Sequence, residues 1–127
     1  MFLKKEPFEY EGEKTVLCEL SGLQRIDYLA FVSEKTALFD DLPAEIPQQE
    51  CTQAFMKLSI EINAWLISRS LAHLDNEQDE DALYQQVLHE WSYDAIAAGA
   101  DKVLALSGMI PAVQDEVAPQ ATSPEKP

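Results

Sequence analysis

The stretch Glu50 to Leu74 carries apolar side chains in two parallel helical rows: Phe55, Leu58, Ile62 with Trp65 and Leu66, and Met56, Ile60, Ala64, Ile67 and Leu71. Residues three and four apart stack on one face of an α-helix, so both rows belong to one long helix. Its polar positions, Glu50, Lys57, Glu61 and Ser68, leave only a narrow strip. A helix apolar over so much of its circumference has to be covered on several sides. The chain needs other helices around it, or a second subunit, and that requirement sets the fold class.

The remaining sequence supplies the cover. A chain of 127 residues, 46% hydrophobic and 25% charged, is long enough for one core and too short for two substantial ones. Ser21 followed by Gln24 is a capping box and starts a helix near Gly22, expected to end around Lys35. Leu23, Ile26 and Ala30, with Leu29 beside them, form its apolar face, expected to be core. Residues 36–49 contain Pro43 and Pro47 and read as a connector, with Phe39, Leu42 and Ile46 packing onto the domain or onto a partner. Asp79 caps a third helix whose face is Leu83, Tyr84, Val87, Leu88 and Trp91. Ser92 opens a fourth, with Ile96, Gly99, Ala100, Val103, Leu104 and Ser107 aligned and Gly108 as its stop. Ala97, Ala98 and Gly99 allow a neighbouring helix to come close.

At the other end, Leu3 to Phe8 and Thr15 to Leu17 flank a turn in which Gly12 supplies positive φ, giving a short β-hairpin or, alternatively, an extended arm. From Pro111 onward the chain has four prolines and few large apolar groups, which predicts a disordered tail. The expected fold is mainly α: about four helices around a central apolar helix, a short N-terminal β-hairpin and a disordered C-terminal tail.

The net charge of −14 disfavours nucleic acid and anionic membranes, which bind clustered Lys and Arg. It serves solubility or a basic partner surface. No segment approaches the roughly 18–20 apolar residues of a membrane span, and no apolar run follows the first lysines, so a soluble intracellular protein is expected. Cys18 and Cys51 lack CxxC spacing and fit a reducing compartment. The acidic stretch Asp75–Asp81 superficially resembles a calcium loop, but Glu80 stands where the turn glycine belongs and Gln86 where the bidentate acid belongs. His73 and His89 lack the partners of a zinc site. No metal, cofactor or catalytic residue is expected; a DNA-mimicking acidic inhibitor or adaptor and a small enzyme are the rival readings.

The segments MFLKKEPFEYEG (residues 1–12) and LCELSGLQRIDYLA (17–30), with VLHEW (87–91) and LSGM (106–109), carry a resemblance. By them the chain resembles the tail assembly chaperone (minor tail protein G) family of lambda-like long-tailed phages. The resemblance is strongest at the two ends and weakest over residues 33–80. It implies a non-enzymatic protein of the host bacterial cytoplasm that binds the phage tape measure protein and keeps it soluble while the tail tube is built. It also implies absence from the finished particle and a frameshift-extended form that recruits the tail tube protein. Residues 1–110 would then be the chaperone domain and 111–127 a tether. With the charge and the over-apolar helix, it points to Phe39, Leu42, Ile46, Phe55, Leu58, Ile62, Trp65 and Leu66 as partner contacts, with self-association through the same surface as an alternative use.

Overall fold

A computed structural model describes residues 2–74 and 79–109. The expected tail from Pro111 and most of the acidic stretch Asp75–Asp81 lie outside the described residues.

Two antiparallel strands come first, β1 (Lys5–Tyr10) and β2 (Glu13–Cys18), with Tyr10 opposite Glu13 and Pro7 opposite Val16. Glu11 and Gly12 between them both have positive φ, 52° and 85°, the backbone a two-residue hairpin turn demands. The hairpin forms, and the extended arm does not. Hydrogen-bonded and non-hydrogen-bonded pairs alternate along such a ladder. Counted from the closing Tyr10–Glu13 pair, Pro7–Val16 and Lys5–Cys18 are non-hydrogen-bonded pairs, so the missing N–H of Pro7 breaks no ladder bond.

By the same count the N–H of Cys18 points away from β1. It donates to Oγ of Ser70 at 2.6 Å, and the N–H of Leu20 donates to Oγ of Ser107 at 2.9 Å. Between them the Glu19 N–H donates to the Lys4 carbonyl at 2.9 Å. The Glu19 carboxylate accepts from the Lys4 N–H at 2.7 Å and pairs with Arg25 at 3.3 Å. The N–H groups of Cys18, Glu19 and Leu20 therefore all have partners, which allows Leu17, Cys18 and Leu20 to be almost wholly buried.

The post of the structure is α2 (Gln48–Ala72). α1 (Gly22–Asp40), α3 (Glu80–Glu90), α4 (Tyr93–Leu106) and β2 all pack on it. The cover is uneven: Ala64–Ser68 and Ser70 are buried, whereas most of residues 48–57 are exposed. Only the C-terminal half of α2 is thus a core helix. Ser68, expected on the polar strip, is buried and donates to the Trp65 carbonyl at 2.8 Å, so its hydroxyl is satisfied within its own helix.

α1 begins with the capping box: Oγ of Ser21 accepts from the Gln24 N–H at 3.2 Å, and Oε1 of Gln24 accepts from the Ser21 N–H at 3.0 Å. It runs to Asp40, past the expected end at Lys35, and the connector shrinks to residues 41–47. Nothing between Thr36 and Asp40 breaks a helix, and Phe39 gains a partner by staying helical, meeting Phe55 edge to face at 6.1 Å. α1 lies antiparallel to α2, with Tyr28 and Phe31 on Trp65 and Lys35 paired to Glu61 at 3.5 Å.

The α1 face expected to be core is outside. Leu23, Ile26 and Leu29 are 69%, 65% and 60% exposed, and no α1 residue is buried. The row Gln24, Tyr28, Phe31, Lys35 and Phe39 faces inward instead, because its aromatic rings bring more contact area than the aliphatic row.

Asp79 caps α3, its carboxylate accepting from the N–H groups of Asp81 and Ala82, and Ser92 caps α4 by accepting from the Ala95 N–H. α2 and α4 approach closely at Gly99, where a Cβ would lie 3.0 Å from Cδ1 of Ile67 and 3.2 Å from Cζ3 of Trp91. α4 ends at Gly108, φ 70°, with the Met109 N–H donating to the Leu104 carbonyl and the Gly108 N–H to that of Ala105. This is the closed C-terminal turn that glycine favours.

Ser70→Ala and Ser107→Ala each strand a buried backbone donor, so each should lower unfolding free energy in urea by about 1–3 kcal/mol. Ser33→Ala on the exposed side of α1 should change it by less than about 0.5 kcal/mol. Midpoints unchanged in all three variants would remove the serines from the anchoring of β2.

Candidate functional site

Cys18, both histidines and Tyr84 are engaged in structure, whereas Cys51 is an exposed free thiol. Cys18 is a free thiol with no exposure. Burial pushes its pKa up, with Lys5 lowering it and Glu19 raising it to smaller extents, so the thiol stays protonated at neutral pH and is a poor nucleophile. Nε2 of His73 lies 2.7 Å from Oε1 of Gln24, and Nδ1 of His89 lies 2.8 Å from the Gln85 carbonyl. The Tyr84 phenol, beneath Phe31, is pushed up to about 12, chiefly by burial and also by Glu61, with Arg69 opposing. Among the described residues no group of three or more His, Cys, Asp or Glu is placed to hold a metal ion. Nor is any described helix long and apolar enough to cross a membrane.

One wide groove of about 1180 Å³ lies between the hairpin and the helices, floored by Phe8, Val16, Leu71, Leu74, Leu83 and Trp91. Phe8 and Trp91 are parallel rings with centroids 6.1 Å apart, which docks the hairpin against the corner of α3 and α4. The charged residues on its rim, among them Lys5, Glu6, Lys14 and Glu90, are exposed, and Glu6 pairs with Lys102 of α4. They form no enclosed polar pocket.

The eight contact candidates divide by position. Leu66 has no exposure and Trp65 only 6%; Trp65 is held by Tyr28 and Phe31, with centroids 6.0 and 5.6 Å away, and by the Arg69 guanidinium 4.7 Å over its ring. These two side chains belong to the chain's own core and cannot meet a partner while α1 is seated. Phe39 at the end of α1, Ile46 in the connector and Leu58 and Ile62 along α2 are half-buried. Leu42 and Phe55 are exposed, and Met56 beside Phe55 is exposed as well.

The larger free apolar surface is one that sequence reasoning assigned to the core. Along the outer side of α1 run Leu23, Ile26, Leu29, Ala30 and Ala37, all exposed. Asp27 and Glu34 lie along one edge of this row and are exposed too. The nearby cations are already engaged, Arg25 with Glu19 and Lys35 with Glu61. The outer face of α1 is therefore apolar with an acidic border. The signal that could have found it is that α1 carries two apolar arcs, one aromatic and one aliphatic, while only one can face α2.

Comparison with known proteins gives this surface a context. Residues 1–126 match the family described as bacteriophage lambda tail assembly chaperone, TAC, protein G. Tail assembly protein G of Escherichia phage N15 is 33% identical over 125 residues, covering 91% of this chain and 83% of that protein. Tail assembly protein G of Escherichia phage lambda is 32% identical over 118 residues, covering 86% and 79%. The longer tail assembly protein GT of phage N15 matches at the same 33% identity, with 46% of its length covered. No solved structure matches the chain.

Leu23→Gln, Ile26→Gln and Leu29→Gln should each leave the unfolding midpoint nearly unchanged, within about 0.5 kcal/mol, whereas Trp65→Ala should cost about 3–5 kcal/mol. A thiol reagent should label Cys51 rapidly in the folded chain and reach Cys18 only in denaturant. Two fast thiols under native conditions would contradict the placement of Cys18.

Proposed function

The chain belongs to the bacteriophage lambda tail assembly chaperone family, protein G, and from that premise we propose that it binds the tape measure protein of a long-tailed phage and keeps it soluble in the host bacterial cytoplasm while the tail tube is assembled. It does so without making or breaking bonds, and it leaves before the particle is finished. The observation that carries this reading is the match over residues 1–126. The exposed α1 row supports it, since a chain of net charge −14 that leaves large aliphatic side chains uncovered has a use for them.

The physical mechanism is coverage. A long helical protein with apolar stripes aggregates through those stripes, and many small acidic domains seated along it hide them and add mutual repulsion. Burying a large aliphatic side chain is worth roughly 1.5–3 kcal/mol, whereas association costs about 4–15 kcal/mol in lost freedom. A contact of only a few such side chains is weak and reversible, which suits a protein that has to be displaced when the tube closes. Residues 1–110 are the binding unit in this reading and 111–127 the tether. In a longer form, of the kind represented by the GT relatives, the tether would carry an added domain that recruits the tail tube protein.

Co-expression with the tape measure protein from the same phage or prophage tests the proposal. Most of that protein should move to the soluble fraction and elute in a complex with this chain. A tape measure protein that stays insoluble and forms no complex would refute it.

A further inference from the structure

Of the surfaces outside the core, the outer face of α1 offers a ligand the most apolar area. Leu23, Ala30 and Ala37 recur at intervals of seven, and Ile26 and Ser33 do the same three residues later, a row that the exposed Asp40 closes at the end of α1. These are the positions that form the seam of a two-helix coiled coil. The next position after Ile26 in this register is Asp27, and it recurs as Glu34 and as Asp41 at the C-cap, all three exposed. In such a register these positions face the flanking side chains of the opposing helix.

From this we infer that the outer face of α1 is a heptad seam that docks one amphipathic helix of the partner, with Lys or Arg flanking that helix's apolar stripe opposite Asp27, Glu34 and Asp41. The inference rests on the chaperone reading above and specifies where and how the partner is held. Charge selects the occupant. Among the described residues the acids on this border form no ion pair, and a basic flank supplies one. A second copy of this chain is a poor occupant: packed antiparallel it sets acid row against acid row, and in either direction it brings together two chains of net charge −14.

The seam also tapers. Leu23, Ile26 and Leu29 make its first half bulky, whereas Ala30, Ser33 and Ala37 make its second half small. A well-packed partner helix places small residues against the first half and large ones against the second. From Leu23 to Ala37 the seam measures about 21 Å at 1.5 Å per residue, so the docked segment is roughly 15 residues long. Bulk and charge together fix both its register and its direction.

The experiment is retention of the co-expressed tape measure protein by the tagged full-length chain in three forms: unaltered, Leu23→Gln/Ile26→Gln/Leu29→Gln, and Asp27→Lys/Glu34→Lys. Thermal unfolding confirms that each is folded, and sedimentation gives its oligomeric state. The expected result is at least a tenfold loss of retention in both variants, and retention by the unaltered chain that weakens as salt is raised. If the unaltered chain retains nothing, the chaperone reading falls and takes this inference with it. If it retains its partner and both variants do so equally well, the inference alone falls. A dimer of the unaltered chain that the triple substitution dissolves, with retention intact, would assign the seam to a second copy and equally overturn it.

Discussion

Burial of the segment Ala64–Ser70 of α2 is the constraint on which the rest of the molecule depends. Trp65 receives Tyr28 and Phe31 from α1, Ile67 receives Gly99 from α4, and Ser70 takes the Cys18 N–H from the end of β2. One stretch of two helical turns thus orients α1, seats α4 and anchors the hairpin. Its side chains leave no choice about which side of α1 turns inward. Once the aromatic row has been drawn onto Trp65, the aliphatic row of Leu23, Ile26 and Leu29 has to face outward. The exposed seam is a consequence of how the core is made.

This arrangement separates stability from recognition. The residues that hold the fold, Leu17, Leu66, Ile67 and Val103, are buried in one cluster, and the α1 outer row contributes almost nothing to it. Such a surface can change its side chains without unfolding the domain. On the proposed reading, the acidic excess offsets the exposed leucines, penalises contact between copies and leaves the seam open to a basic partner. In the proposed role, the small size of the apolar row limits affinity, which suits a chaperone that has to be released once the tail is assembled.

Much of this was legible in the sequence where a local rule decides the outcome. The Ser21–Gln24 capping box, the Asp79 and Ser92 caps, the glycine turns at Gly12 and Gly108 and the close approach at Gly99 all formed as their residue types dictate. The inward face of α1 was not legible, because both its aliphatic and its aromatic arcs satisfy helical periodicity and only the position of Trp65 chooses between them. The same ambiguity placed Trp65 and Leu66 among the contact candidates: on a helix apolar all round, core and contact side chains look alike. The end of α1 was missed because Pro43 signals a stop without saying where before it the helix ends. The anchoring serines carry no local signal, since Ser70 and Ser107 meet Cys18 and Leu20 only once the chain has folded.

The most direct test of the account follows the methyl groups of the chain by NMR as the partner helix binds. Signals of Leu23, Ile26 and Leu29 should shift or broaden, while those of Leu17, Leu66 and Ile67 keep their free-state positions. A response centred instead on Leu71, Leu74 and Leu83 in the groove beneath the hairpin, or spread through the core, would contradict it.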